Sequence, residues 1–213
     1  MRTVRSIAFL VVVGSVLVGC AATRSELDVS VPKPAVTPTK AAVKITNVTD
    51  SRRFEINPRS PSTPSVRDNE IDNKQLIARA VGRKRGGFGN AWGDVVLPEG
   101  QTVSGLVEEA LVAALAEKGY AVLARDAPGY DGAIPLSADV LKFWSWVTPG
   151  WAISITHESQ IRLTGPWPLR LDNREISGYA YYKSYVAIVE SDWGDLLNNG
   201  LADLQQNLAK ELK

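Results

Sequence analysis

The chain is 213 residues long with 45% hydrophobic and 22% charged residues, the composition of a globular protein with a buried core and not of a disordered chain. Its 24 Lys+Arg against 23 Asp+Glu leave no basic excess that would favour nucleic acid. One Cys and one His exclude an internal disulfide framework and His-rich metal sites.

Residues 1–19 have the form of a signal peptide: Arg2 and Arg5 precede an apolar run from Ile7 to Val18, too short to span a bilayer comfortably. The run ends Leu17-Val18-Gly19-Cys20, which resembles a bacterial lipobox. That resemblance implies cleavage before Cys20, diacylglycerol on its thiol and an acyl chain on its new amino group, an anchor that needs no protein cofactor. Several acyl chains at about 0.8 kcal/mol per buried methylene hold a protein on a membrane durably. Ala21 and Ala22, with no Asp after the cysteine, imply sorting to the outer membrane. Loss of the leader removes Arg2 and Arg5, so 22 cations face 23 anions and the mature charge is −1.

Residues 20–42 carry Pro32, Pro34 and Pro38 among small residues and predict an extended, solvated tether. Within it, Leu27, Val29 and Val31 alternate with Asp28 and Ser30, so part of the tether can dock as an edge strand. The remaining residues, 43–213, are expected to form one periplasmic domain.

That domain opens with a strand through Val43, Ile45 and Val48, followed by a polar, Pro-containing loop over 51–75. Alternation from Gln75 to Arg83, glycines at 86, 87 and 89, and a short apolar run at Val95 to Leu97 predict a hairpin arm. Thr102 is placed to cap a helix whose stripe is Val103, Leu106, Val107, Ala110, Leu111, Ala114 and Leu115, ended by Gly119. A short strand at Tyr120 to Ala124 follows. Strands are then predicted at Ile134 to Trp146, Trp151 to Leu163 and Glu175 to Val189, joined by local turns into an antiparallel meander. Asp192 is placed to cap a last helix with a stripe from Trp193 to Leu212, weakened at Gly200 by about 1 kcal/mol relative to Ala. The expected fold class is α+β: two layers, a mostly antiparallel sheet packed by two amphipathic helices.

The helix ending Ala-Leu-Ala-Glu-Lys-Gly-Tyr-Ala-Val within Val103 to Val122 carries a resemblance, together with the lipobox, Asp50 and Arg52 after the first strand, and Asp139. In this order of parts the chain is similar to the YajG-like family of bacterial lipoproteins. The resemblance implies an outer-membrane lipoprotein without a defined activity. The stretch from Phe54 to Gly100 departs from that pattern.

Three places are candidates for function. In the arm, Arg83, Lys84 and Arg85 stand beside glycines, Phe88 and Trp92, where backbone amides and cations could cradle an anion and the rings could stack. No nucleotide fingerprint is present, and a charged hairpin tip is the plain alternative. Trp144, Trp146 and Trp151 gather around the turn Thr148-Pro149-Gly150, either as an exposed aromatic platform or as a cover for the core. Tyr179, Tyr181 and Tyr185 share one strand parity, read as sheet packing. His157 has no nucleophile elbow and no metal-ligand spacing around it. Asp139 is offered as a buried partner for the Asp50 and Arg52 turn.

The functional expectation is a non-enzymatic outer-membrane lipoprotein facing the periplasm, which binds another envelope component, a protein in the first instance. The alternative is a small-molecule or lipid binder serving envelope transport, which requires an apolar cavity between sheet and helices. No metal and no nucleic-acid partner is expected.

Overall fold

In the computed structural model, residues 24–32, 34–86 and 90–212 are described. Eight strands among them form one mixed sheet. In chain order the elements are β1 (Ser25–Glu26), β2 (Ala42–Asp50), α1 (Lys74–Arg79), β3 (Ala80–Arg85), β4 (Ala91–Val96), α2 (Val103–Glu117), β5 (Ala121–Val122), β6 (Ile134–Thr148), β7 (Ile153–Gly165), β8 (Leu171–Ser184) and α3 (Glu190–Glu211), with a short 3-10 turn at Asp68–Glu70.

The antiparallel meander is present: β6 pairs with β7 and β7 with β8, each joined by a local turn. The rest of the sheet corrects the expectation of a mostly antiparallel arrangement. β2 and β3 both run parallel to β6, β2 through Val43 to Asp50 and β3 through Gly82 and Arg83, while β5 joins β2 and β1 joins β4 in parallel. Parallel pairing needs a crossover, and the long path from β2 through the β3–β4 arm and α2 to β6 supplies it.

α2 and α3 lie on one face of the sheet. The inward rows are Val140, Ile161 and Ile176, then Phe143, Ser159 and Gly178, then Ser145, His157 and Ala180. They meet Trp193, Leu196, Leu197, Leu201, Leu204 and Leu208 of α3, and the stripe of α2 completes the core. Thr102 caps α2, its Oγ1 accepting from Gly105 N–H at 3.1 Å, and Gly119 takes a positive φ of 83° just past the helix end. α3 begins earlier than expected: Val189 is the N-cap residue, and the Asp192 carboxylate reaches back to accept its N–H at 2.7 Å.

A register shift between Val140 and Lys142 of β6 changes which face each later residue presents. Phe143 therefore enters the main core, while Trp144 enters a smaller second core with Val66, Leu76, Ala80 and Val96. The 51–75 stretch is the lid of that second core and not simply a polar loop: Trp144 Nε1–H donates to Pro61 O at 3.1 Å, and Phe54 meets the Trp144 ring edge-on at 5.7 Å.

Gln75 to Arg83 is not one strand. Lys74–Arg79 is helical, capped by Asn73 Oδ1 on Leu76 N–H at 3.1 Å, and only from Ala80 does the chain extend. Leu76 is the buried residue of this short helix, and Ala80, already extended, joins it in the second core.

Within the expected tether, the Leu27, Val29 and Val31 stretch docks on the domain, as its alternation allows, while 35–41 are exposed. Leu27, Val29 and Val31 are buried in the main core, and Leu27 N–H donates to Val96 O at 2.9 Å. Three β-branched or branched side chains at period two bury more apolar surface than a free tether would leave in water. Residues 1–19, expected to be a signal peptide, and Cys20 lie outside the described residues. Among the described residues no helix is long and apolar enough to cross a membrane.

Candidate functional site

The β3–β4 arm and the β6–β7 turn converge at one end of the molecule, where the β8–α3 connection joins them. Together they line a groove of about 240 Å³ formed by Lys84, Arg85, Gly86 and Trp92, by Val147, Pro149 and Ile153, and by Val186, Ala187, Ile188 and Trp193. Trp92 is 59% exposed, Val186 91% and Trp151 97%. Tyr185-Val186-Ala187-Ile188-Val189, which the alternation had assigned to a strand, is in fact the loop after β8. Its apolar character was the available signal that this loop contributes to a surface.

The cations of the arm do not converge on an external anion. The Arg83 guanidinium is buried, donates to Val66 O at 2.5 Å and stands 3.5 Å from Asp94 Oδ1. Burial pushes the Asp94 carboxyl up from its usual range, against the pull of Arg83 and Arg24. Lys84 Nζ donates to Glu190 Oε2 at 2.7 Å and to Ser25 Oγ. Arg85 donates to Ser65 Oγ at 3.1 Å, and burial, then the neighbouring Arg83, lowers its pKa. These contacts hold β1, the 51–75 stretch and α3 against the arm. Phe88 lies outside the described residues.

The three tryptophans of the aromatic turn separate. Trp144 is fully buried in the second core, Trp146 is partly buried beneath Lys142, whose Nζ lies 5.2 Å from the ring centre, and Trp151 projects from the turn. They form no common platform: Trp144 is enclosed in the second core, whereas Trp151 lies in the turn and is 97% exposed.

That outer sheet face continues instead into the tyrosines. Across the strands, Trp146, Thr156 and Tyr181 stand in one row, and Trp144, Glu158 and Tyr179 in the next. Tyr179 and Tyr181 are exposed. Among the described residues β8 pairs with β7 alone, so its other edge is open. Near the middle of that edge α3 intervenes: Asp203 Oδ2 accepts from Tyr179 N–H at 2.9 Å and Asn207 Nδ2 donates to Ser177 O at 2.9 Å. Since alternate residues of an antiparallel strand face the same edge, the backbone groups of Tyr181 and Lys183 point outward too, beyond the reach of these caps.

His157 is fully buried between Phe143, whose ring is 4.6 Å away edge-on, and α3, and its Nδ1 shares a 2.9 Å hydrogen bond with Ser145 Oγ. Burial first, and the charge of Lys142 second, push its pKa down to about 3, so the ring is neutral. Arg52 takes Asp50 as its partner, not Asp139: its Nε and Nη2 donate to the Asp50 carboxylate at 2.8 and 2.7 Å. A groove of about 500 Å³ lies between the β2–β5 edge and α2, its lining mixed in character: Ile45, Val48, Val112 and Val122 beside Thr46, Asn47, Glu108, Arg125 and Tyr130. Among the described residues no cluster of His, Cys, Asp and Glu is arranged to hold a metal ion.

No family model matches the chain, and no curated protein matches it. It is similar in structure to a Xanthomonas campestris protein described with the family label DUF330, at 13% identity and a TM-score of 0.45, over 89% of this chain and 94% of that one. It is also similar to a second, uncharacterized protein at 12% identity and a TM-score of 0.38, over 90% and 98% of the two chains. Neither description names the YajG-like family, and likeness at this level assigns no activity.

Proposed function

We propose that this protein is a non-enzymatic, lipid-anchored module of a bacterial outer membrane, of YajG-like type and facing the periplasm, that binds another envelope protein. The observation that carries the binding role is the open edge of β8, where the outward backbone groups of Tyr181 and Lys183 lie beside the exposed rings of Tyr179 and Tyr181. An extended segment of a partner can add to such an edge, its main chain supplying affinity and the tyrosines supplying contact area. Acylation of Cys20 confines the module to the membrane that carries the partner.

The test is photocrosslinking in cells from a photoreactive residue at position 181, with Cys20→Ala as the mislocalised control. The expected result is a discrete protein adduct that disappears in the control. Absence of any protein adduct from this position, in a strain where acylation of Cys20 is verified, argues against the edge as a docking site.

A second reading, binding of a small molecule or lipid for envelope transport, is supported by the groove of about 500 Å³ beneath α2. Its volume falls within the range of ligand sites, roughly 300–1,000 Å³. Native mass spectrometry of protein purified from membranes checks it: a stoichiometric co-purified small molecule supports the reading, and its consistent absence removes it.

A further inference from the structure

We propose that the end of the molecule bearing Trp92, Trp151 and Val186 rests on the phospholipid surface to which the chain is anchored. The inference rests on the reading of Cys20 as acylated and adds to it an orientation and a contact surface.

The argument begins with where the described chain starts. β1 runs parallel to β4, Ser25 opposite Val95 and Glu26 opposite Val96. β4 leaves the arm at Ala91 and runs inward, so the chain at Arg24, followed toward its N-terminus, is directed at the tip of the arm. Arg24 is held there by Glu70 at 2.8 Å and Asp94 at 3.6 Å. Only residues 21, 22 and 23 separate Cys20 from Arg24. At no more than about 3.6 Å per residue, an acylated Cys20 keeps Arg24 within about 14 Å of the headgroups. A tether of twenty residues would have left the domain free to turn any face to the membrane; docking of Leu27, Val29 and Val31 removes that freedom.

The surface presented at this end suits a bilayer interface. Trp92 of the arm and Val186 of the β8–α3 loop line one shallow groove, and exposed Trp151 belongs to the β6–β7 turn whose Pro149 lines it too, so three separate connections expose apolar side chains at this end. Tyr185 stands next to Val186 and is exposed as well. Tryptophan and tyrosine favour the headgroup level because one part of the ring system is apolar and another makes hydrogen bonds. The neighbouring Lys84 is paired with Glu190, and Arg85 donates to Ser65 while keeping its charge, so the contact made by the apolar and aromatic side chains is the part that survives added salt.

The molecule contains its own control. Trp167, 74% exposed, lies in the β7–β8 turn, at the other end of a 13-residue strand from Trp151. At about 3.3 Å per residue the two turns are about 40 Å apart. Both ends expose tryptophan, but only one lies beside the start of the described chain.

The experiment reconstitutes the full acylated chain in phosphatidylethanolamine–phosphatidylglycerol vesicles whose acyl chains are brominated near the glycerol, and reads tryptophan emission. Quenching is expected in the unaltered chain, is largely lost in the Trp92→Phe/Trp151→Phe variant, and persists in Trp167→Phe and at high salt. If the chain is acylated and vesicle-bound yet unquenched, or if quenching survives the double substitution, the contact is overturned and the anchor stands. If mass spectrometry finds Cys20 unmodified in the membrane-derived protein, the anchor falls and the orientation falls with it.

Discussion

The imidazole of His157 on β7 lies against the backbone of Gly200 in α3, so closely that a methyl group built at Gly200 would stand 2.3 Å from His157 Cδ2. Gly178 on β8 makes a matching approach, where an added carbon would stand 2.7 Å from Leu204 Cβ and 2.8 Å from Gly200 O. These two glycines let the last helix settle onto the meander.

Gly200→Ala is therefore expected to destabilise the protein although it improves helix propensity. The propensity gain is about 1 kcal/mol. Overpacking against a ring held by Ser145 and Phe143 costs typically about 1–3 kcal/mol. Urea unfolding checks the sign: a lowered midpoint is expected, and a midpoint raised by the full propensity gain would mean that His157 swings aside.

Stability is expected to fall in acid through His157. Its folded-state pKa of about 3 lies below its ordinary value of 6.5, so between these limits the unfolded chain holds a proton that the folded chain refuses. The stabilisation is complete above the ordinary value and declines by up to about 1.4 kcal/mol per pH unit as the pH drops toward the folded value. Asp94, raised by burial, contributes with the opposite sign, so the comparison with His157→Gln isolates the histidine. Urea unfolding at about pH 7.5 and about pH 5 should show a smaller acid loss in that variant than in the unaltered chain. Equal losses would place the imidazole in contact with water.

Arg52→Ala is expected to cost about 3–5 kcal/mol, the scale for breaking a buried charge pair. Besides Asp50, the guanidinium donates to Ala80 O at 2.6 Å, Ile77 O at 2.8 Å and Phe143 O at 3.1 Å. It ties β2, the end of α1 and β6 together at the boundary of the two cores. Arg52→Lys should recover only part of the loss, because an ammonium cannot reproduce the planar fork. Chemical denaturation of both variants checks this, and full recovery by lysine would mean that charge alone matters here.

Val29→Ser separates a docked segment from a free one. Val29 is 1% exposed, and removing a fully buried valine side chain from its environment costs about 1.5–3 kcal/mol. Val36→Ser, on an exposed side chain of the following stretch, should leave the unfolding midpoint nearly unchanged. Identical behaviour of the two variants would return residues 24–31 to the status of a tether.

The elements legible in the sequence are those whose evidence is local. The stripe and caps of α2, the leucine stripe of α3 and the three strands of the meander each declare themselves within a window of one element and its turns. The pairing of β2 and β3 with β6 joins residues about ninety and sixty positions apart, and no short-range pattern distinguishes a parallel partner from an antiparallel one. Alternation makes Gln75 to Arg83 read as one strand, whereas the structure caps a short helix at Asn73 and extends the chain only from Ala80, where it meets β4 and β6.

The candidate site divides in the same way. Composition and motif located the cationic, glycine-rich arm and the cluster of tryptophans near the 148–150 turn, since residue type and spacing are properties of the chain itself. Whether Trp144 or Trp151 faces water, whether Arg83, Lys84 and Arg85 look outward or hold β1, the second core and α3 in place, and whether Asp50 or Asp139 serves Arg52 are matters of which distant segments arrive at the same point. The bulge in β6, the docking of Leu27, Val29 and Val31, and the close approach at Gly200 settle them, because each is a packing decision made across the molecule and not along it.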